Sequence, residues 1–333
     1  MRLTTPVPAA EPNPLPWVHA GRTGLLSLHG ADGEETGAEE IGAEETGMGI
    51  GAEVIGMGIG MEGIGMVESG FQLVGGGPRA YDHSVAEFAG PFADVAVSAV
   101  HPRPGEALLD LACGTGFVTR RAAYSVGRAG TVVGLDINPA MLEVAADEGP
   151  DMADWVCASA DDMPFEDGSF DAVVCQQGVQ FFPDPVAALA ETRRVLRPAG
   201  RLCATVWAAP TFSPYFHAVA TGLIAAIGDA GVTPLYAAMP EGGDELLRGW
   251  AEAAGLADIA VRLVEVVINL PPIREFLPSQ LLATPWGALV QAAGPHAWDV
   301  ATHRAFDELK PHVRWDGSAG LPFRSWLLTA IRD

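Results

Sequence analysis

The sequence predicts an α/β fold in which helices cover both faces of a doubly wound, mainly parallel sheet. Three observations lead to this prediction. Short apolar runs recur between residues 106 and 207, helix-like segments separate them, and each apolar run is short enough to be a single strand. A chain of 333 residues, 49% of them apolar, also has ample material for the core of such a fold.

Five apolar runs are predicted to form the parallel strands. Each has the length of a strand that is buried on both faces, as the strands of parallel sheets are. In chain order the runs are EALLDLA (106–112), TVVGLD (131–136), DWVCA (154–158), FDAVVC (170–175) and RLCATVW (201–207).

Helix-like segments lie between these runs and supply the crossovers that parallel strands require. They are FVTRRAAYSV (117–126), PAMLEVAADE (139–148) and DPVAALAETRRVL (184–196). Pro198 and Gly200 follow the last segment and are predicted to end that helix.

The pattern changes after Trp207. Helix-like residues 213–228 and 244–255 precede a strand-like run at 257–270, and two helices predicted across 273–312 precede a second strand-like run at 321–331. We expect the two strand-like runs to close the sheet edge, which gives seven strands. The helical insertions at about 208–245 and 270–315 are expected to form a cap over the carboxyl ends of the strands, where doubly wound folds bind ligands.

The first 78 residues differ from the rest of the chain. Residues 33–66 form an acidic repeat with glycine at short intervals, and no Lys or Arg occurs between Arg22 and Arg79. Glycine disfavours helices by about 1 kcal/mol per residue relative to alanine, and the acid content opposes collapse. We therefore predict a disordered, low-complexity extension at 1–78 and one folded domain at 79–333.

The charge balance excludes several classes of partner. The chain has 42 acidic and 19 basic residues and a formal net charge of −23, which makes a basic face for nucleic acid or an anionic bilayer hard to build. No apolar run is long enough for a membrane span, and the four cysteines form no CxxC pair. We expect a cytoplasmic protein with reduced thiols, no bound metal and a small-molecule ligand; its oligomeric state is left open, a homodimer included.

The segment LLDLACGTGFVTR (108–120) is the most informative part of the sequence. A buried strand carries an acid near its end, and Gly114 and Gly116 then lead into a helix. Glycine at these positions lets a ligand approach the backbone closely, because a Cβ would occupy the space. Asp136 ends the next strand, where a carboxylate can accept both hydroxyls of a ribose. These features predict a nucleoside pocket.

A glycine-rich turn followed by an acid about 20 residues later is also typical of dinucleotide-binding folds. Here, however, the full GxGxxG pattern is absent, since the residue two before Gly114 is Ala112 and the residue three after Gly116 is Thr119. Further along, ASADDMPFEDGSFDAVVCQQGVQFFPDP and ETRRVLRPAGRL follow in order. With these segments the chain resembles the class I S-adenosylmethionine-dependent methyltransferases, in particular their small-molecule branch of quinone and natural-product enzymes. The resemblance is strong over 79–207 and looser over 208–333, and it implies a Rossmann-like fold.

The resemblance implies that the cofactor is S-adenosylmethionine and assigns residues to it. Asp110, Ala112, Gly114 and Gly116 match the family's first motif, which wraps the methionine part of the cofactor. Asp136 matches the acid on the ribose hydroxyls.

The same resemblance assigns five further cofactor-binding residues. Ile137 lies beside the adenine, and Ser159 and Ala160 match the pair at the adenine edge. Gln176 matches a position near the amino acid end of the cofactor. Tyr81 resembles a tyrosine that often covers the sulfonium side.

The implied reaction is in-line transfer of the methyl group to O, N or C of a small acceptor. A general base is needed only where the acceptor must lose a proton, and histidine is the usual choice. His217, after the fifth strand, and His83, beside Tyr81, are the two candidate catalytic residues.

Aromatic residues in the two insertions suggest an apolar or aromatic acceptor. Two other functions stay open from the sequence: a catalytically silent cofactor-binding or scaffold protein, and a nicotinamide-dependent oxidoreductase. The aromatic residues are Phe212, Tyr215, Phe216, Tyr236, Phe276, Trp286 and Trp298.

Overall fold

The computed structural model describes residues 26–27, 64–67, 70–73 and 77–333. The predicted extension at 1–78 therefore lies almost entirely outside the described residues. The strands are β1 Leu26–Ser27, β2 Ile64–Val67, β3 Gly70–Leu73, β4 Ala107–Leu111, β5 Thr131–Asp136, β6 Ala153–Cys157, β7 Phe170–Gln176, β8 Leu196–Trp207, β9 Ala257–Leu270 and β10 Ala319–Ile331. The α-helices are α1 Gly77–Ala99, α2 Phe117–Val126, α3 Pro139–Glu148, α4 Pro185–Val195, α5 Pro214–Ile227, α6 Thr233–Ala238, α7 Gly243–Ala253, α8 Ile273–Leu282, α9 Pro285–Ala292 and α10 Pro295–Leu309.

The main sheet has the order β1-β6-β5-β4-β7-β8-β10-β9. Strands β4 to β8 pair in parallel, and β10 pairs antiparallel with both β8 and β9. The seven predicted strands are all present, and the two-residue strand β1 adds to the β6 edge. The chain winds outward from β4 to β6 and then crosses to β7 on the other side of β4. The carboxyl ends of β4 and β7 thus form the switch point at which ligands bind in such folds.

Helices cover both faces of the sheet, as the sequence predicts. One apolar core joins α1, α2, α5 and α10 to the sheet, and a second core joins α4 and α7 to its other face. Every residue of β4 is buried, in keeping with a central parallel strand.

Local signals explain where two crossover helices begin. The Asn138 side chain accepts a hydrogen bond from the Ala140 N–H, and the Asp184 side chain accepts one from the Ala187 N–H. A proline is the first residue of each helix, where the missing N–H costs no hydrogen bond. The sequence places the starts of these helices correctly for this reason.

The two larger differences from the sequence predictions concern β8 and residues 273–312. Strand β8 begins at Leu196 rather than 201, because Leu196 already pairs with Phe170; the register then shifts, so that Ala172 pairs with Arg201. Residues 273–312 contain three helices rather than two, since Thr284 caps a new helix at Pro285 and Pro295 begins a third. No helix in the described ranges combines the length and apolarity that crossing a bilayer requires.

The indole of Trp155 on β6 lies among three glycines. A Cβ added at Gly116, Gly134 or Gly149 would lie 2.9, 2.5 or 2.4 Å from a ring carbon of Trp155. These distances are shorter than real Cβ atoms tolerate, so the ring occupies the space that side chains would otherwise fill. Gly116 additionally has a φ of +87° at the start of α2.

We expect Gly134→Ala to lower the free energy of unfolding by about 1 to 3 kcal/mol, because the new methyl group overlaps the indole. In a Trp155→Leu background the same change should cost less than about 1 kcal/mol, since the ring is gone. Urea denaturation of the four proteins measures both costs. Gly249→Ala is the control: it lies in α7 with no atom within 4 Å of its added Cβ, and it should stabilise the helix. Equal costs in both backgrounds would contradict the steric explanation.

Candidate active site

A cavity of about 240 Å³ lies at the carboxyl ends of β4, β5 and β7, under the cap helices. We call it the main cavity. Its strand side is formed by Asp110, Ala112, Gly114, Asp136, Ile137 and Gln176, with Tyr81 from α1. Its cap side is formed by Phe216, Pro234, Ala238, Met239, Gln280, Ala283, Thr284, Pro285 and Trp286. The seven strand-side residues named here were all assigned to the cofactor from the sequence.

A smaller pocket of about 50 Å³, the side pocket, adjoins the main cavity and shares Ala112, Asp136 and Ile137 with it. Ser159 and Ala160 line this pocket. Nine of the ten residues assigned to the cofactor therefore line one of two adjoining spaces. The tenth, Gly116, lines neither; it starts α2 and packs on Trp155 instead.

Asp110 is buried near the end of β4, 1% exposed. One carboxylate oxygen accepts hydrogen bonds from the Thr119 N–H at 2.8 Å and from the Thr119 hydroxyl at 2.6 Å. Burial raises the pKa of Asp110 from 3.8 to about 7, although the bonds from Thr119 oppose the rise. Asp110 therefore changes charge near neutral pH.

Asp136 ends β5 and connects two turns. One oxygen accepts from the Gly114 N–H at 2.8 Å, and the other accepts from the Asn138 N–H at 2.9 Å. Burial raises the pKa of this carboxyl too, while the two backbone bonds lower it. Each oxygen can accept more than one hydrogen bond, so the carboxylate can hold the glycine turn and a pair of ligand hydroxyls together.

The turn between β4 and α2 is shaped for close approach. Gly114 has a φ of +53°, and no atom lies within 4 Å of the position that its Cβ would take. The next residue, Thr115, is 1% exposed and lines the main cavity, yet its hydroxyl has no hydrogen-bond partner among the described residues. Thr115 is a candidate binding residue that the sequence analysis missed, although its place between the two glycines was a usable signal.

Tyr81 and Gln176 join α1 to the strand ends. The Gln176 side-chain N–H donates to the Ala89 carbonyl at 3.1 Å. Tyr81 is half-buried, and burial, followed by the charges of Asp136 and Asp82, raises its pKa to about 12. Tyr81 therefore carries a neutral hydroxyl at neutral pH. In the side pocket, the Ser159 hydroxyl donates to Asp161.

The two histidines predicted as catalytic bases lie away from the cavity. His217 and His83 are both exposed, and no histidine of the described chain lines the main cavity. The base prediction therefore gains no support from the geometry.

Two of the seven aromatic residues singled out from the sequence line the cavity, namely Phe216 and Trp286. The structure adds Phe88, Phe117, Phe181, Phe182 and Trp207, which the sequence analysis did not select as aromatic lining. Phe181 and Phe182 lie five and six residues after the end of β7, so their place after a strand end was an available signal. Phe88 could not be found in this way, because only the packing of α1 brings it to the cavity.

Tyr215 belongs instead to an aromatic cluster behind the cavity. Its ring lies 5.6 to 5.9 Å from the rings of Phe88, Phe216, Phe276 and Phe323. Its hydroxyl is buried without a hydrogen-bond partner among the described residues, and burial raises its pKa. An unpaired buried hydroxyl destabilises the folded state.

Tyr215→Phe is therefore expected to raise the free energy of unfolding by about 1 to 2 kcal/mol, because the ring packing stays and the unpaired hydroxyl is removed. Chemical denaturation measures the gain. Tyr124→Phe is the matched control, since Tyr124 is 92% exposed and should give no change. A loss of stability in Tyr215→Phe would show that the hydroxyl has a partner after all.

The cysteine thiols are not arranged for chemistry in this structure. All four thiols are free; Cys113, Cys175 and Cys203 are buried and Cys157 is half-buried. Burial raises the pKa of each buried thiol, which disfavours the nucleophilic thiolate. Within the described ranges, no three His, Cys, Asp or Glu side chains cluster as metal ligands.

Comparison with known proteins gives consistent matches. The methyltransferase domain family matches residues 109–204. A demethylmenaquinone methyltransferase of Clavibacter sepedonicus is 36% identical over 178 residues, which cover 49% of this chain and 71% of that enzyme. A nocamycin O-methyltransferase of Saccharothrix syringae is 40% identical over 126 residues, 37% of this chain and 45% of the relative. The match to the latter thus spans less than half of its length.

Among solved structures, phosphoethanolamine N-methyltransferase 2 of Haemonchus contortus in complex with S-adenosyl-L-methionine aligns with a TM-score of 0.48 and 19% identity, covering 77% of this chain and 56% of that one. The sequence matches include the strand that carries Asp110, the strand that ends at Asp136 and the turn between them. The chain belongs to the family of S-adenosylmethionine-dependent methyltransferases.

Proposed function

We propose that this protein transfers a methyl group from S-adenosylmethionine to a small, apolar or aromatic acceptor. The main cavity carries the proposal, because one space joins two kinds of surface. Asp110 and Asp136 on its strand side suit a cationic cofactor that has ribose hydroxyls. Phe216 and Trp286 on its cap side suit an apolar acceptor.

The residues of the strand side fit the cofactor. Gly114 leaves open the space that a Cβ would fill, the Thr115 hydroxyl is without a partner in the described chain, and the Asp136 carboxylate has lone pairs to spare. Ile137 is 43% exposed beside the side pocket, where a flat base would cover it. When bound, S-adenosylmethionine supplies the methyl group on a positively charged sulfur, so no covalent intermediate with the protein is needed.

The work of the protein is then to position the acceptor and to exclude water. Positioning of this kind contributes about 7 to 11 kcal/mol in favourable cases. Within the described residues, the cap side has no titratable side chain. An acceptor bound there would lose its proton before binding, or to solvent, rather than to a side chain of the cap.

The relatives support a small-molecule acceptor of this type. One is named for demethylmenaquinone and another for the natural product nocamycin. We infer an acceptor of similar character for this chain, methylated at O, N or C by in-line displacement.

Calorimetry and a turnover assay test the proposal together. S-adenosylmethionine and S-adenosylhomocysteine should bind, and NAD should not. Release of S-adenosylhomocysteine is then followed with a panel of hydroxylated and aminated aromatic compounds. Tight binding of NAD without binding of either sulfur compound would overturn the cofactor assignment. Binding without turnover on any acceptor would favour the catalytically silent alternative.

We expect His217→Ala and His83→Ala to leave turnover within about twofold of the wild-type rate, because both imidazoles lie outside the cavity. The measurement is the initial rate of S-adenosylhomocysteine release with any acceptor that the wild type methylates. General bases contribute about 100-fold or more. A loss of that size in either variant would reinstate the histidine as the base.

A further inference from the structure

The cap side of the main cavity contains an amide side chain that has no partner among the described residues. Gln280 on α8 is 7% exposed and lines the cavity. Its side chain makes no hydrogen bond to any residue that the structure describes. The neighbouring polar groups differ in this respect, since the Ser279 hydroxyl donates to the Phe276 carbonyl and the Thr284 hydroxyl donates to the Leu281 carbonyl. Gln280 alone in this segment has donors and an acceptor to offer a ligand.

Gln177, which also borders the cavity, differs from Gln280 because its amide is held by the fold. The Gln177 side-chain N–H donates to the Ser325 hydroxyl oxygen at 2.9 Å. Ser325 in turn donates its proton to the Val206 carbonyl at 2.7 Å, which fixes the orientation of the Gln177 amide. The Gln177 carbonyl oxygen is then a buried acceptor without a donor among the described residues. Gln177 also lines the main cavity, and its φ is +55°, an unfavourable conformation for a residue other than glycine.

The amide nitrogen and oxygen of Gln280 keep some exposure, although the residue as a whole is 7% exposed, so they can be reached from the cavity. The other side chains of the cap side are apolar, except for Thr284, whose hydroxyl is already bonded, and Trp286, whose indole N–H can donate but not accept. Gln280 is therefore the side chain of the cap side that offers a ligand both donors and an acceptor.

We propose that Gln280 is a specificity-determining residue that hydrogen-bonds an oxygen substituent of the methyl acceptor. The site then selects a neutral, flat, apolar molecule that carries a hydroxyl or carbonyl group, and it rejects the hydrocarbon of the same shape. The inference rests on the proposed function, because it takes the cap side to be the acceptor site.

The first test compares 2-naphthol with 2-methylnaphthalene, which have nearly the same shape but differ in one hydroxyl group. Binding of each to the wild type and to Gln280→Met is measured by calorimetry in saturating S-adenosylhomocysteine. We expect the wild type to prefer 2-naphthol by at least tenfold and Gln280→Met to prefer it by less than threefold. Gln291→Met, at an exposed position on α9, is the matched control and should keep the wild-type preference. A wild-type preference below threefold, including naphthol binding too weak to measure, overturns the proposal, as does a full preference in Gln280→Met.

The second test needs no acceptor. If the Gln280 amide makes no hydrogen bond within the ligand-free protein, Gln280→Met should not lower the melting temperature, because no such bond is lost. A fall in the melting temperature would mean that the amide serves the fold, which also overturns the proposal. The affinity for S-adenosylhomocysteine distinguishes the two levels of inference. If the wild type does not bind S-adenosylhomocysteine, the proposed function is refuted. If the wild type binds it but Gln280→Met keeps the full preference for 2-naphthol, only the role of Gln280 is refuted.

Discussion

Replacing Asp136 by alanine is expected to weaken the binding of S-adenosylmethionine by about 1.5 to 3 kcal/mol, because hydrogen bonds to a charged acceptor are lost. The Asp136→Ala substitution has two effects on the site. It removes the carboxylate from the position proposed for the ribose hydroxyls, and it releases the Gly114 and Asn138 N–H groups that now donate to it. Calorimetric titration with S-adenosylmethionine measures the loss.

Two further variants separate these effects. Asp136→Asn keeps one oxygen acceptor in place of two and should fall between the wild type and Asp136→Ala. Asp229→Ala removes an exposed acid from outside the cavity and should leave the affinity unchanged. An affinity for S-adenosylmethionine that survives intact in Asp136→Ala would remove this residue from the ribose site.

The affinity for S-adenosylmethionine is expected to rise steeply with pH up to about pH 7, because Asp110 must lose its proton to attract a cationic ligand. The pKa of Asp110 is raised to about 7 by burial, so the carboxyl is mostly neutral at about pH 5. Where binding requires the carboxylate, affinity changes by about tenfold for each pH unit below that pKa and becomes flat above it. Calorimetry between about pH 5 and 7.5 tests the slope.

The raised pKa of Asp110 has the opposite effect on the stability of the ligand-free protein, which falls as the pH rises. Unfolded Asp110 loses its proton near 3.8, whereas folded Asp110 keeps it to about 7. Between these values the folded state binds more protons, so the contribution of Asp110 to the free energy of unfolding falls as the pH rises. Asp110→Asn should remove the contribution of Asp110 from the pH profile of the affinity and from the pH profile of the free energy of unfolding. The part due to Asp136, whose pKa is also raised, would remain. A steep affinity profile that is unchanged in Asp110→Asn would assign the titration to another group.

The sequence predicts the strand side of the site well because its signals are local. An acid at a strand end, a glycine in a tight turn and a proline at the start of a helix each act within a few residues. Asp110, Gly114 and Asp136 are therefore identifiable before the structure is known. The helix starts at Pro139 and Pro185 follow from the same kind of signal.

The cap side depends on contacts between segments that are distant in the chain. Phe88 reaches the cavity only through the packing of α1, and Gln280 becomes notable only because its surroundings are apolar and bury it. The aromatic residues of the two insertions were also a poor guide to the cavity lining, because Tyr215 and Phe276 pack behind the cavity with Phe323. Gly116 shows the converse case: its motif position is recognisable, but its contact with Trp155 is not local.

The packing around Trp155 also restricts the order in which these positions can change during evolution. A lineage cannot gain a side chain at 134 or 149 while the indole remains, because either Cβ would overlap it. Loss of the tryptophan must come first, after which a side chain fits more easily at 134, whereas a Cβ at 149 would still lie 2.5 Å from the Ala145 carbonyl oxygen. Position 116 would stay glycine even then, since its left-handed backbone is required independently. Homologues with a small residue at 155 should therefore vary at 134 and retain glycine at 116 and 149.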